Sequence, residues 1–454
     1  MAFKNQEFEG KGTFHRGVHP PERKHFSADA PIEALPAPSE VLIPLQQHIG
    51  APCKSLVKPK QEVAYGDVIG DSDAMISARL HAPISGIVQK IAVTTLPNGR
   101  HMEAIHIKAA GIQFTGDQMR REFLGGRWSK EVVGYDPDDV TRAINDAGIV
   151  GLGGAAFPTH IKISPFLKKK LDTLIVNGCE CEPYLTADDR LMRDIPEIVI
   201  SGALLSRLAL GADNIIIGIE ENKPEAIAAI RKAAGGTTIK VAVLKTKYPQ
   251  GSEKHLIKAV VNRTVPLGGL PSDVKVAVSN VTTITAVARA VIRGLPLTHR
   301  VVCVTGAGIH QPKHILAPIG ISYRALIEFC GGLTPDAARV LSGGPMMGFA
   351  FTDLDMPLTK GTGGVTVLTR DDIKKATETA CLRCGKCVDA CPMNLVPSRL
   401  AVAARHRDMP LAEKYKIRAC MECGSCAYVC PAGIPLVQLI RVGKAMIMAS
   451  SARK

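Results

Sequence analysis

Between Cys381 and Pro431 the chain reads CLRCGKCVDACP, then a spacer, then CMECGSCAYVCP. Each block sets cysteines at i, i+3, i+6 and i+10 with a proline next. No other stretch limits the possible folds so sharply. An iron–sulfur cubane takes four thiolates at tetrahedral corners, and one tight loop can present three of them. Gly385 and Gly424 let the backbone bend close to the sulfides. The fourth cysteine of each run lies too far round to join its own loop and caps the other cluster. One [4Fe–4S] cluster is therefore assigned to Cys381, Cys384, Cys387 and Cys430, and a second to Cys420, Cys423, Cys426 and Cys391. Zinc sites and disulfides are the competing readings. Zinc favours two separated pairs, often with histidine, and disulfides need an oxidising compartment. Neither suits a doubled run of four cysteines closed by proline. In the spacer, Leu400, Ala403, Ala404, Leu411 and Ala412 are spaced for helix. The expectation is an α-helical ferredoxin-like module over 371–435, followed by an amphipathic C-terminal helix over 436–454. Two adjacent clusters form a path for single electrons, so the rest of the chain should supply what stands at its ends.

The 454 residues are enough for several domains, each with its own core. Of the 13 cysteines, eight lie in the two blocks. Cys53, Cys179, Cys181, Cys303 and Cys330 are the others, and free thiols beside clusters favour a reducing compartment. The N-terminus is polar and lacks the apolar core of a secretory signal. The best apolar run, Ile195 to Leu210, is broken by Ser206 and Arg207, so no transmembrane segment is expected. A net charge of +14 could suit nucleic acid, but aromatics are only 4%, and the stacking rings of single-strand binders are missing. No nucleic-acid partner is expected. Much of the basic charge lies near the cysteines, in Arg383, Lys386, Arg399, Arg405, Arg407, Lys414, Lys416 and Arg418. Cations there offset anionic clusters and attract an acidic electron carrier or an anionic membrane surface.

Taken in order, residues 1–37 read as an extended arm that wraps or docks, with HPPERKH at 19–25. Residues 38–110 show short strands at 41–44, 51–57, 67–69, 79–82, 86–91 and 104–107, punctuated by glycine and proline. The phrases VAYGDVIGD and LHAPISGIVQKI resemble the barrel-sandwich of lipoyl and biotinyl carriers. No lysine stands between Ile69 and His81, so a swinging arm is not expected. A linker over 111–137 holds Trp128, read as a packing anchor. A Rossmann-like α/β domain follows over 138–298. Asp138 is the expected N-cap of a helix over 140–147, and the glycines of GIVGLGGAAFPTHIKI let backbone amides approach a phosphate. Strands at 171–178, 214–220 and 238–244 alternate with helices at 195–210 and 224–234. An acidic turn, CECEPYLTADDR, and the turns at 248–253 and 276–283 fall at strand ends, where ligands bind in such sheets. Residues 299–352 read as a small β-grasp around one helix, of the soluble-ligand-binding (SLBB) type. A connector over 353–370 leads to the cluster module.

At GLGGAAFPTHIK together with NGCECEP the chain resembles the flavin- and NADH-binding subunit of respiratory complex I. With the carrier-like start and the doubled cysteine motif, the whole chain resembles the C subunits of Rnf (Rsx) ion-translocating electron transport complexes. That resemblance implies a peripheral subunit on the cytoplasmic face of the membrane. It would exchange electrons between NAD(H), non-covalent FMN and two [4Fe–4S] clusters, with other Rnf subunits and a ferredoxin-like carrier as partners. It further implies that Gly151, Gly153, Gly154 and Ala155 hold the FMN phosphate and ring edge. Lys162 would stabilise the anionic reduced flavin, Asn177 and Glu180 would bind the isoalloxazine and ribityl chain, and Glu182 would stand beside the nicotinamide. Gly251 and Glu253 match a second flavin-contacting turn, and Asn280 and Thr283 a turn near the phosphate. The chain departs from the complex I pattern where Leu152 replaces an arginine and where Cys179 and Cys181 replace an acid and a serine. Phe157 could stack on adenine or pack. Ser201-Gly202-Ala203 is followed by Leu204, so the covalent flavin motif is missing. Two other readings share these modules: a soluble cobalamin-reductase-type flavo-iron–sulfur protein, and a non-catalytic electron-wire scaffold.

Overall fold

The computed structural model describes residues 8–163, 170–373 and 377–451. Small parts of the expected arm, cluster module and C-terminal helix (1–7, 374–376 and 452–454) lie outside the described residues. The carrier-like region is a sandwich of two antiparallel sheets. Glu40–Pro44, His101–Ala109, Gly86–Thr95 and Glu62–Val63 form one, in that order. Lys54–Ser55, Val68–Asp71 and Leu80–His81 form the other. Val41, Ile43, Ile69, Leu80, Val88, Ile105 and Ile107 fill the space between them. The expected strand over 51–57 shrinks to two residues, because Pro52 and the turn after Ser55 leave little ladder to pair.

The α/β domain is a parallel four-stranded sheet ordered Lys240–Leu244, Asn214–Glu220, Thr173–Asn177, Val276–Asn280. Its strands are apolar runs because helices cover both faces. Pro196–Leu210 is buried along most of its length, between that sheet and the helix Val281–Arg293. This accounts for its hydrophobicity without a membrane, and no helix among the described residues is long and apolar enough to span one. The first helix of the domain runs Pro137–Asp146 and its cap is Asp136, whose side chain accepts from the amides of Asp138 and Asp139. Asp138 is not the cap. Pro137 fixes the register, since proline suits the first helical position, where its missing N–H is not needed. The linker is less extended than expected: Gly116–Leu124 is a helix with a Thr115/Gln118 capping box. Trp128 packs into the domain core under the Arg293 guanidinium, 3.9 Å from the ring centroid.

The third sheet has six strands, ordered Ile32–Ala34, Lys313–Pro318, His299–Thr305, Gly364–Thr369, Ala337–Ser342, Phe349–Phe351. The helix Tyr323–Phe329 packs on it. Two of these strands come from outside the expected β-grasp. Gly364–Thr369, in the stretch read as a connector, is central and buried on both faces. Ile32–Ala34, from the arm, adds a parallel edge strand. The arm continues across the α/β domain: Gly10 and Gly12 donate to the carbonyls of Val260 and Ala259, and Val18 bridges to Tyr248. Arg16 reaches Val388 in the cysteine-rich module. That module is helical, with Pro397–Arg405 and Met409–Lys414 packed against Leu436–Ser451.

Candidate functional site

The glycine loop and the starts of the parallel strands' following segments meet at one end of the α/β sheet. Leu152 N–H donates to Thr283 Oγ1 at 2.8 Å, holding the loop against the start of Val281–Arg293. Asn280 caps that helix through Oδ1, at 2.9 Å from Thr282 N, and its Nδ2 donates to Asp188 Oδ2 at 2.6 Å. A Cβ on Gly153 would stand 3.0 Å from Asn280 Cβ, so glycine is needed for this approach. Gly154, at φ +106°, and Ala155 face open space at the mouth. Across the pocket Lys162 Nζ donates to Glu253 Oε2 (3.1 Å) and to the carbonyl of Val278 (2.8 Å). Asn177 Nδ2 donates to Gly251 O at 2.8 Å. The glycine loop, Asn280, Thr283, Lys162, Glu253, Asn177 and Gly251 thus gather at this end of the sheet, bringing backbone amides, one ammonium and one carboxylate together. Gln250, fully buried in the same turn, has neither side-chain polar atom paired. Such a donor set suits the phosphate and polar ring edge of FMN.

The acidic turn is arranged differently from a row of free carboxylates. Both oxygens of Glu180 are taken by backbone amides, Asp188 at 2.8 Å and Asp189 at 3.0 Å, at the start of the helix Ala187–Asp194. Burial, then the neighbouring Asp188 charge, raises the Glu180 carboxyl above its ordinary value. Glu182 Oε1 accepts from the amides of Met346 (2.6 Å) and Met347 (3.1 Å), in a turn of the six-stranded-sheet domain. Burial pushes Glu182 up to about 7, against the pull of those amides. A guanidinium reaches the Leu152 carbonyl from another element. Arg300, on the strand His299–Thr305, donates to Leu152 O at 3.2 Å. It is almost wholly buried, which lowers it to about 10 while the Asp188 charge supports it.

The eight cysteines fall into two groups. Cys391, Cys420, Cys423 and Cys426 line one small cavity, together with mostly apolar residues such as Leu395, Leu400, Val437 and Ile440. Cys391 comes from the first block and the other three from the second, the grouping that crossed ligation requires. On the other side Cys430 packs beside Cys387, while Cys381 and Cys384 are exposed on their loop. Gly385 (φ +77°) and Gly424 (φ +84°) turn the two loops in the left-handed region. A Cβ on Gly424 would lie 2.5 Å from Met346 O. Among the described residues no three His, Cys, Asp or Glu converge as a single-ion site. Thiols spread around a cavity fit a polynuclear cluster better than a lone zinc.

One short turn joins the two halves. Tyr248 O–H donates to Cys423 O at 2.6 Å, and Ser252 Oγ lies 3.5 Å from Met421 Sδ. His255 Nδ1 pairs with Ser252 Oγ (3.0 Å) and its Nε2 with Pro392 O (3.1 Å). Gly251 and Glu253 of the same turn face Asn177 and Lys162. Sequence reasoning picked out this turn but gave no role to Tyr248 at its start or to His255 in the helix that follows. It also passed over Asp188, which joins Asn280 and Thr282, and Arg300. A tyrosine just ahead of a glycine turn, and an aspartate in the acidic stretch, were the available signals.

Comparison with known proteins covers the same bodies. Residues 12–111 match the RnfC barrel sandwich hybrid domain, 144–289 the Nuo51 FMN-binding domain, 301–350 the SLBB domain and 380–434 the 4Fe-4S dicluster domain. The chain is 44% identical over 444 residues to the C subunit of the proton-translocating ferredoxin:NAD(+) oxidoreductase complex of Clostridium ljungdahlii, covering 97% of this chain and 95% of that one. It is 41% identical over 439 residues to the C subunit of the Na(+)-translocating ferredoxin:NAD(+) oxidoreductase complex of Acetobacterium woodii, covering 96% and 98%. An NAD+-reducing [NiFe]-hydrogenase crystallised in the H2-reduced state shares the fold, with a TM-score of 0.51 and 23% identity over 71% of this chain and 65% of that one.

Proposed function

Since the chain belongs to the family of C subunits of ion-translocating ferredoxin:NAD(+) oxidoreductase (Rnf) complexes, we propose that it exchanges electrons between NAD(H) and such a membrane assembly, with a ferredoxin-like carrier as the other redox partner. Bound FMN supplies the step from a hydride pair to single electrons, and two [4Fe–4S] clusters carry them singly. The observation that carries this reading is the turn Tyr248–Glu253. One side of it faces Asn177 and Lys162, and the other is bonded to Cys423.

Gly151, Gly153, Gly154 and Ala155 would cradle the flavin phosphate and ring edge, with Asn280 and Thr283 fixing the loop. Lys162, neutralised by Glu253 at rest, would favour negative charge on the reduced ring. Asn177 and the Glu180 backbone would orient the ring, and Glu182 would meet the nicotinamide from the loop beside it. Cys391, Cys420, Cys423 and Cys426 would hold the inner cluster. Cys381, Cys384, Cys387 and Cys430 would hold the outer one, whose loop is exposed. Arg383, Lys386, Arg399 and Arg407 are exposed around that module and fit an acidic carrier. A subunit using NAD(H) belongs on the side of the membrane where that pool lies, the cytoplasmic face. The test is metal and flavin analysis of anaerobically purified protein, then titration with NADH. About eight irons per chain and a non-covalent FMN bleached by NADH are expected. Zinc in place of iron, or a flavin that NADH never bleaches, would defeat the reading.

A further inference from the structure

The HPPERKH stretch of the arm has no role in the site as described so far. Its Lys24 enters beneath the acidic loop, and the ammonium donates to three carbonyls: Glu180 at 2.8 Å, Glu182 at 3.2 Å and Leu185 at 2.5 Å. An ammonium has three N–H donors, and all three are matched. Three carbonyls converging on one point is the arrangement of a cation cage. It demands an unusual backbone, and both Glu180 (φ +46°) and Tyr184 (φ +71°) occupy the left-handed region that side-chain-bearing residues avoid.

We propose that Lys24 is a positioning residue for the flavin and nicotinamide site, acting as a built-in cation that holds the loop 180–185 in its working shape. Without it three inward carbonyls repel one another, and the loop containing the two left-handed residues loses the contact that draws those carbonyls together. The loop carries Glu182 directly. Through Glu180 it also holds the amides of Asp188 and Asp189, and Asp188 in turn holds Asn280 and Thr282 beside Gly153. The rest of the arm has its own anchors here. Tyr184 N donates to Glu22 O at 2.8 Å, Asn222 Nδ2 to Glu22 Oε2 at 2.9 Å, and Ser27 Oγ lies 2.7 Å from Thr186 Oγ1. Removing the ammonium therefore leaves the arm docked and the cage empty. Glu180, Glu220, Lys223 and Cys181 are the charged or titratable groups around it.

The inference rests on reading this pocket as the flavin and nicotinamide site, and the test separates the two. Full-length holoprotein is compared with Lys24→Met, Lys24→Arg and Lys24→Ala, and with Lys11→Met, which removes the same charge from an exposed arm position. Lys24→Met should keep its iron and flavin and its reduction by dithionite, while KM for NADH rises about tenfold, the effect of losing a charge-assisted contact. kcat should change far less. Lys24→Arg should not restore KM, because a planar fork cannot serve three converging carbonyls. Lys24→Ala should recover partly with ammonium or potassium and not with tetramethylammonium at equal ionic strength. If Lys24→Met does not accumulate, Lys24→Gln, with two of the three donors, carries the comparison. A KM within twofold of wild type in whichever variant is measured overturns the inference, as does equal rescue by all three cations or an equal effect of Lys11→Met. A wild-type flavin that NADH does not bleach overturns the reading of the pocket and the inference with it.

Discussion

Changing Lys360 to Met should abolish a gain in stability that the wild-type chain acquires above neutral pH. Lys360 is 1% exposed, at the junction of three bodies. Its Nζ donates to Arg79 O of the sandwich at 2.6 Å and to Gly148 O of the α/β domain at 2.7 Å, and its own amide donates to Gln47 Oε1 at 2.9 Å. Two carbonyls match the two N–H groups of a neutral amine, and no carboxylate among the described residues pairs with it. Burial accordingly lowers the amine from 10.5 to about 7. The unfolded chain therefore binds a proton between those values that the folded chain does not, and stability rises with pH across the interval. Each pH unit is worth about 1.4 kcal/mol, so the whole interval amounts to about 5 kcal/mol, about half of it gained between pH 7 and 9. His48 and His81 nearby are held by burial at about 4 and about 3, so they stay neutral throughout this window. Urea unfolding of anaerobic holoprotein at pH 7, 8 and 9, followed through Trp128, measures this directly. The difference in unfolding free energy between wild type and Lys360→Met should grow by about 1 kcal/mol or more per pH unit. A flat difference would refute the neutral-amine account.

Tyr248→Phe removes one hydroxyl and leaves the Cys423 carbonyl without its donor. At about 1–3 kcal/mol for such a loss, amide exchange over 420–426 should speed about 5- to 150-fold while the barrel is unaffected. Glu182 is raised to about 7 in the folded chain, so the packed turn binds its proton more tightly than an opened one. Opening at Met346 and Met347 should therefore become easier as pH rises from 5 to 8; Glu182→Gln should exchange there with no such trend once intrinsic rates are removed. Cys391→Ser should damage the cluster of Cys420, Cys423 and Cys426 and take iron from about eight towards about four per chain, with Cys430→Ser damaging the other. Identical electron paramagnetic resonance spectra for the two variants would contradict crossed ligation.

The nearness of Cys391 to Cys420, Cys423 and Cys426 was legible because a cysteine loop is local and spacing limits which sulfurs can share a turn. The glycine loop was legible for a similar reason, and Leu152 and Thr283 show what it leans on. What stayed hidden depends on partners distant in the chain. Nothing in Ile32–Ala34 announces a parallel pairing with Lys313–Pro318. Val365, Thr366 and Val367 of Gly364–Thr369 alternate, but the run is short and its sheet partners lie far away in the chain. Glu180 looks like a ligand in a motif, yet helix amides occupy its carboxylate. The cap at Asp136 could have been chosen over Asp138 by giving Pro137 its due weight.

The seam between Arg16 and Val388 joins residues 372 positions apart. Gly17, beside Arg16, donates to Ala390 O, so the arm closes a loop over more than three quarters of the chain. Val388 lies next to Cys387, and Tyr248, bridged to Val18, is bonded to Cys423. The arm is thus fastened in part over the loops that carry the cysteines. Disturbing the loop around Cys387 should therefore loosen the arm at Arg16 and Gly17, a stretch distant from it in sequence.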